Sequence, residues 1–115
     1  MQLTYQDTNN TRIITVGENR IDAAIAISFK DKMREITDTG PKRIILDMEQ
    51  VDFIDSSGLG AVVASMKQVD ADTKLELAGL SKTVAKVFRL TRMDTVFTIH
   101  PDIQSALGGG LANAS

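Results

Sequence analysis

Between Asp52 and Lys67 the chain reads DFIDSSGLGAVVASMK, and its centre, Asp55-Ser56-Ser57-Gly58-Leu59-Gly60, gathers residue types that could do chemistry. An aspartate, two hydroxyls and two glycines before an apolar run can serve as a helix cap, as a nucleophile, or as a hydroxyl that another enzyme phosphorylates. Nucleophilic catalysis needs a base and an oxyanion site. The sole histidine, His100, stands far along the chain in TIHPD and reads as a surface or turn residue. Residues 54–58 are Ile-Asp-Ser-Ser-Gly, not the Gly-x-Ser-x-Gly of a nucleophile elbow, and no Gly-x-x-x-x-Gly-Lys-Ser/Thr phosphate loop occurs. Asp47, Asp52 and Asp55 could gather around a metal, but aspartates at this spacing are ordinary turn formers. With no cysteine and His100 as the one imidazole, a zinc site would have to be built almost wholly from carboxylates. The expectation is no metal, no cofactor and no catalytic residue.

The elements around this stretch must position it. Ile44-Ile45-Leu46 within KRIILDM is a continuous apolar run, which suits a central strand covered on both faces. After the serines, Leu59, Val62, Val63 and Met66 fall at i, i+3, i+4 and i+7 and predict the core face of a helix. The opposite side carries Ser57, Gly60, Ala61, Ala64 and Gln68, where a solvated face would hold Lys and Glu. A partner docking over the helix start accounts for that composition; burial under neighbouring structure is the alternative. In α/β folds such a loop, after a strand and before a helix, is where ligands and partners gather. There the unpaired N–H groups and the positive end of the macrodipole tolerate a phosphate. A serine that only caps the helix is the plainer reading.

The rest of the chain supplies alternating elements. Residues 2–6 and 11–16 read as a hairpin about DTNN. Asp22 reads as the N-cap of a helix over 23–37 with Ile25, Phe29, Met33 and Ile36 on its apolar stripe, stopped by Gly40-Pro41. KLELAGL predicts a strand. Ser81 caps a helix over 82–92 with Val84, Val87, Phe88 and Thr91 on one face. TVFTI predicts a last strand, and Pro101 starts a short helix through Leu107. The order β-β-α-β-α-β-α-β-α implies an α/β fold, a mostly parallel central β-sheet covered by about four helices. One domain over 1–107 and a flexible tail over 108–115 (GGGLANAS) are expected. Lys82, Lys86, Arg89 and Arg92 line one side of the third helix, either as a solvated face or as a basic rim that steers an acidic partner.

The 115 residues carry 43% hydrophobic and 24% charged side chains, ordinary for a soluble globular domain. The net charge of −2 argues against nucleic acid as a partner. No apolar run reaches the roughly 20 residues of a membrane span, and the polar start MQLTYQDTNNTR lacks a signal-peptide core. A cytoplasmic protein without membrane contact is expected.

FIDSSGLG, following an apolar strand and opening a helix, resembles the signature of the STAS domain, and specifically of bacterial anti-sigma factor antagonists. The similarity extends through RIILDMEQVDFIDSSGLGAVV, LELAGLSKTVAKVFRLTRMDTVF and the Gly17 to Asp22 entry to the first helix. It implies a single STAS-like domain, not an enzyme, that binds an anti-sigma factor serine kinase and so frees a sigma factor. That kinase phosphorylates the serine after the aspartate, here Ser56 with Ser57 as neighbour, and a serine phosphatase reverses the mark. The implied partner surface is Asp22, Asp55, Ser56, Ser57, Gly58, Leu59, Gly60, Ala61 and Ala64. In GENRID, Gly17 and Asp22 are spaced more widely than in the Gly-x-Leu-Asp pattern typical of the family. Two further readings stand beside it: a constitutive, non-phosphorylated STAS interaction module in a regulatory or transport assembly, and a nucleotide-binding or hydrolytic domain using Ser56 and the aspartates. Both a monomer and a weak dimer are compatible with the sequence.

Overall fold

Asn9 and Asn10 adopt φ of 49° and 59°, the paired positive values a two-residue type I′ turn requires and asparagine tolerates. In the computed structural model, which describes residues 1–108, they join β1 (Leu3–Thr8) to β2 (Thr11–Val16). The chain continues through β3 (Arg20–Ile21), α1 (Ala26–Thr37), β4 (Arg43–Asp47), β5 (Phe53–Ile54) and α2 (Ser56–Gln68). It ends with β6 (Lys74–Ala78), α3 (Lys82–Leu90), a 3₁₀ turn at Met93–Thr95, β7 (Ile99–His100) and α4 (Ile103–Ala106). A five-stranded sheet runs β1-β2-β4-β6-β7, antiparallel at β1–β2 and parallel elsewhere. The expected tail lies outside the described residues from 109 onward.

Alternation along the strands sorts the two faces of the sheet. Ile14, Val16, Ile44, Leu46, Leu75 and Leu77 meet Phe29 and Met33 of α1, Val62 of α2, and Val84 and Phe88 of α3. Phe29 and Phe88 are fully buried, each contributing about 1.5–3 kcal/mol by apolar burial. On the opposite face Ile45 and Ala78 are covered by Ala106 of α4. The central strand is thus closed on both sides, as its unbroken apolar run predicts. Among the described residues no helix is long and apolar enough to cross a membrane.

Two charged networks tie the layers together. Arg12, buried on β2, donates from Nη1 to the carbonyls of Ile36 (2.7 Å) and Thr39 (3.0 Å) at the end of α1. The same guanidinium forms a bidentate pair with Asp7 of β1 (2.7 and 2.9 Å). The Ile36 carbonyl is an orphan of the helix end and Thr39 lies just past the cap, so one cation satisfies the last turn of α1 and anchors it to the sheet. Gly40, at φ +108°, passes against that guanidinium; a Cβ there would lie 2.7 Å from Arg12 Nη2. On the other face Arg43 donates to both oxygens of Glu76 (2.9 and 3.1 Å), and His100 Nε2 lies 2.7 Å from Glu76 Oε1. Arg43 also donates to the carbonyl of Ala106, which holds α4 in place.

Several local expectations are corrected. Asp22 does not cap α1, which starts at Ala26 behind Ile25 with no side-chain cap. The predicted strand over 95–99 shrinks to Ile99–His100, because Met93–Thr95 winds into a 3₁₀ turn after Arg92 takes a left-handed φ of 64°. α3 ends at Leu90, and Asp102, not Pro101, sets the start of α4 by accepting from the N–H of Ser105 at 2.7 Å. His100 is no simple turn residue, since it is held in the Glu76 network. β3 and β5, absent from the predicted order, pair parallel as a separate two-stranded sheet, Arg20 with Phe53 and Ile21 with Ile54.

Arg12→Met should lower the unfolding free energy by about 2–3 kcal/mol, because charge-assisted bonds are lost and the end of α1 is left unpaired; the readout is the urea midpoint at unchanged slope. The pair with Arg43, more than the weaker contribution of His100, holds the Glu76 carboxyl below its ordinary value against the opposing effect of burial. A depressed carboxylate stabilises the fold above its unfolded pKa of about 4.3, and that contribution fades as pH falls through the lowered folded value. Urea titrations between pH 7 and pH 3 should therefore show an acid-dependent loss that is shallower in Glu76→Gln.

Candidate functional site

Asp55 stands at the junction of β5 and α2 and takes the cap that the plain reading gave to a serine. Its backbone is extended (φ −102°, ψ −176°), and its Oδ1 accepts from the N–H of Gly58 at 2.8 Å. Its Oδ2 accepts from the N–H of Ala23 at 3.1 Å, across from the segment between β3 and α1. The backbone N–H of Asp55 donates to the carbonyl of Ile21 at 3.3 Å, and that of Asp52 to the carbonyl of Asn19 at 2.8 Å. The N–H of Gly58, first, and then that of Ala23 hold the Asp55 carboxyl below the usual carboxylate range. One ionised side chain thus caps α2 and ties it to the neighbouring turn.

With the cap filled by Asp55, the serines are left free. Ser56 and Ser57 are both exposed in the first turn of α2, and neither hydroxyl has a hydrogen-bond partner among the described residues. This is where the N–H groups are unpaired and the macrodipole is positive. Asp22 sits beside this turn, accepting from the N–H of Ala24 and from Arg20 Nε, each at 3.1 Å. The Arg20 guanidinium lies 4.8 Å over the ring of Phe53, which is itself exposed.

The helix face expected to meet a partner divides. Gly58 and Ala61 turn inward: Ala61 is buried, and a Cβ on Gly58 would lie 1.9 Å from the carbonyl oxygen of Ile21. The glycine at 58 is required by the β3 backbone and not by a visiting surface. Leu59 is half-buried and packs on the core, so the inner face of α2 comprises Gly58, Ala61, Val62 and Ser65. Gly60, by contrast, faces open space, with no atom within 4 Å of a built Cβ. Ser57, Gly60, Ala64 and the buried Ala61 form one wall of a groove of about 270 Å³ against Ile27 and Lys30 of α1. Ile27 is 71% exposed, large for an isoleucine in a helix. Ile27 and Phe53 extend the candidate surface beyond the residues expected from sequence. Ile27 lies off the stripe of Ile25, Phe29, Met33 and Ile36, and that displacement was the signal for it.

The other candidates separate from the site. His100 is bound to Glu76 on the sheet, and Asp47 Oδ1 accepts from the N–H of Glu49 at 3.0 Å. Among the described residues no three His, Cys, Asp or Glu side chains gather as metal ligands. Lys82, Lys86, Arg89 and Arg92 are all exposed. What the site offers is two free hydroxyls on a rigid helix start beside a shallow, partly apolar groove.

The chain is similar to known proteins over nearly its whole length. A match to the STAS domain runs over residues 2–106. The anti-sigma-F factor antagonist RsfB of Mycobacterium tuberculosis is 22% identical over 107 residues, covering 93% of this chain and 87% of the relative. The crystal structure of an anti-sigma factor antagonist from Mycobacterium paratuberculosis superposes with a TM-score of 0.84 at 19% identity, over 94% of this chain and 92% of that one. The Bacillus cell fate determinant SpoIIAA in its phosphorylated form gives 0.66 at 23% identity, over 92% and 96%.

The two glycines should respond oppositely to alanine. Gly58→Ala forces β3 and α2 apart and should cost about 3 kcal/mol. Gly60→Ala meets no atom and should gain about 0.5–1 kcal/mol of helix stability. Chemical denaturation of the two variants beside the parent measures both.

Proposed function

The chain belongs to the STAS domain family, and from that premise we propose that it is an anti-sigma factor antagonist switched by phosphorylation of Ser56. In its unmodified form it binds an anti-sigma factor that is also a serine kinase, and so releases a sigma factor. The kinase transfers phosphate to Ser56, binding is lost, and a serine phosphatase restores the hydroxyl. The protein is a ligand and a substrate in this cycle, not an enzyme.

The observation that carries the reading is that Asp55, not a serine, caps α2, which leaves an exposed hydroxyl on a helix start locked by the Asp55 bonds. Ser57 lines the groove with Ile27, Gly60 and Ala64, whereas Ser56 does not. This supports Ser57 as part of the contact surface and Ser56 as the acceptor that reaches a kinase-bound nucleotide. Gly60, Ala64, Ile27 and Phe53 supply close approach and apolar contact, Ala61 lines the same groove, Asp22 lies at the rim, and Gly58 and Leu59 act from within by shaping α2. The matched relative is named for an anti-sigma factor antagonist, and a structural neighbour is described in a phosphorylated form, which agrees with this assignment.

A phosphate adds roughly −1.5 to −2 charges. At the first turn of α2 the free N–H groups and the macrodipole accommodate it, so the fold survives. A partner surface selected for a neutral hydroxyl instead meets a dianion beside Asp55 and Asp22. A loss of about 3 kcal/mol from repulsion and desolvation weakens binding roughly a hundredfold. Calorimetric titration of the cognate anti-sigma factor should show Ser56→Asp weakened at least about a hundredfold, with an unchanged circular dichroism spectrum. Ser56→Ala should bind normally yet take up no phosphate. Tight binding by Ser56→Asp would overturn the switch.

A further inference from the structure

The two edges of the five-stranded sheet are finished differently. β7 is two residues long and is followed at once by Pro101, which has no N–H to offer a neighbour. β1 runs six residues, and its register against β2 is unbroken from Leu3↔Val16 to Thr8↔Thr11. Exposed edges are normally blunted with lysine, proline, a bulge or a covering segment. LTYQDT has no lysine, no proline and no bulge, and among the described residues nothing pairs with its outer side. Its single charge, Asp7, is neutralised by the bidentate bond from Arg12.

The free groups on that edge can be assigned. The N–H of Gly17 donates to the carbonyl of Gln2 at 2.8 Å, which makes Gln2 and Gly17 a hydrogen-bonded pair. In an antiparallel ladder such pairs alternate. Thr4, Gln6 and Thr8 therefore turn their backbone groups toward β2, and the tight turn closing at Thr8 and Thr11 agrees. Leu3, Tyr5 and Asp7 turn theirs outward.

We propose that β1 is a dimerisation edge for a second copy of this chain, paired antiparallel about a two-fold axis through Tyr5. In that register Tyr5 meets its counterpart and Leu3 meets Asp7 of the other copy, so every outward N–H and C=O of the three residues finds a partner. No like charges face each other. Tyr5 is exposed, and its ring is held 4.3 Å beneath the Arg12 guanidinium, which presents a fixed apolar surface at the axis. A second copy is the occupant the edge favours because the strand is self-complementary about this axis and the pairing closes on itself. The Pro101 edge stops it at two chains. The interface consists of β1 alone and uses none of the residues around Ser56.

Sedimentation equilibrium over a range of protein concentrations tests the proposal. The apparent mass should rise from that of one chain toward twice it as concentration increases. In the same register Thr4 faces Gln6 of the other copy, and both are exposed. The double substitution Thr4→Lys with Gln6→Lys should therefore weaken association at least tenfold while the circular dichroism spectrum stays as in the parent. The chain has no cysteine, so a single Tyr5→Cys variant should form a disulfide-linked dimer under mild oxidation much faster than Lys86→Cys. A chain that stays monomeric at every concentration, leaving the edge to a foreign strand, overturns the proposal. So does a dimer that ignores the lysine pair and cross-links equally at both positions.

Discussion

The site depends on one carboxylate that serves two segments. Asp55 accepts from Gly58 inside its own helix and from Ala23 in the turn before α1, at 2.8 and 3.1 Å. The first bond satisfies an orphan donor of α2 and the second fixes the neighbouring turn. Ile21 completes the clamp, with its carbonyl receiving the N–H of Asp55 and lying against the bare Cα of Gly58. Without a glycine at 58 the segments could not approach, and without an aspartate at 55 they would have no common acceptor. The serines are exposed and unbonded because neither is needed for this work.

That division of labour links local structure to the proposed switch. A serine committed to capping would be held by the backbone, and phosphorylating it would break the helix start. A serine beside the cap can gain a phosphate where the dipole already favours negative charge. Under the proposed switch the scaffold keeps its shape while its surface gains roughly −1.5 to −2 charges, as partner exchange requires. The stability of that scaffold comes from elsewhere, from the helix-covered sheet and the anchoring cations Arg12 and Arg43.

Much of this was legible in the residues. The run Ile44-Ile45-Leu46 marked the central strand, the spacing of Val84 and Phe88 marked the core face of α3, and Asn9-Asn10 marked a tight turn. The rest was hidden by distance along the chain. β3 and β5 have two residues each and are too short to show a period, so their pairing was invisible. Asp22 was a fair cap by residue type, but aspartate is equally suited to bond its own backbone two residues on, and here it does so with Ala24. Gly58 entered the expected partner surface only through the family resemblance, and a helical pattern cannot show the Ile21 carbonyl that arrives from another segment and demands a glycine there. The Arg43–Glu76–His100 network joins three strands; its one local trace is a glutamate set between Leu75 and Leu77 in β6.

Phosphosite mapping by mass spectrometry of the protein isolated from its native cells, across growth conditions, tests the central claim most directly. The account predicts phosphate on Ser56, with an occupancy that changes with conditions and is highest when the anti-sigma factor is free of this protein. Phosphate confined to Ser57 or to another residue, or an unmodified Ser56 in every condition while the partner kinase is present, would contradict it.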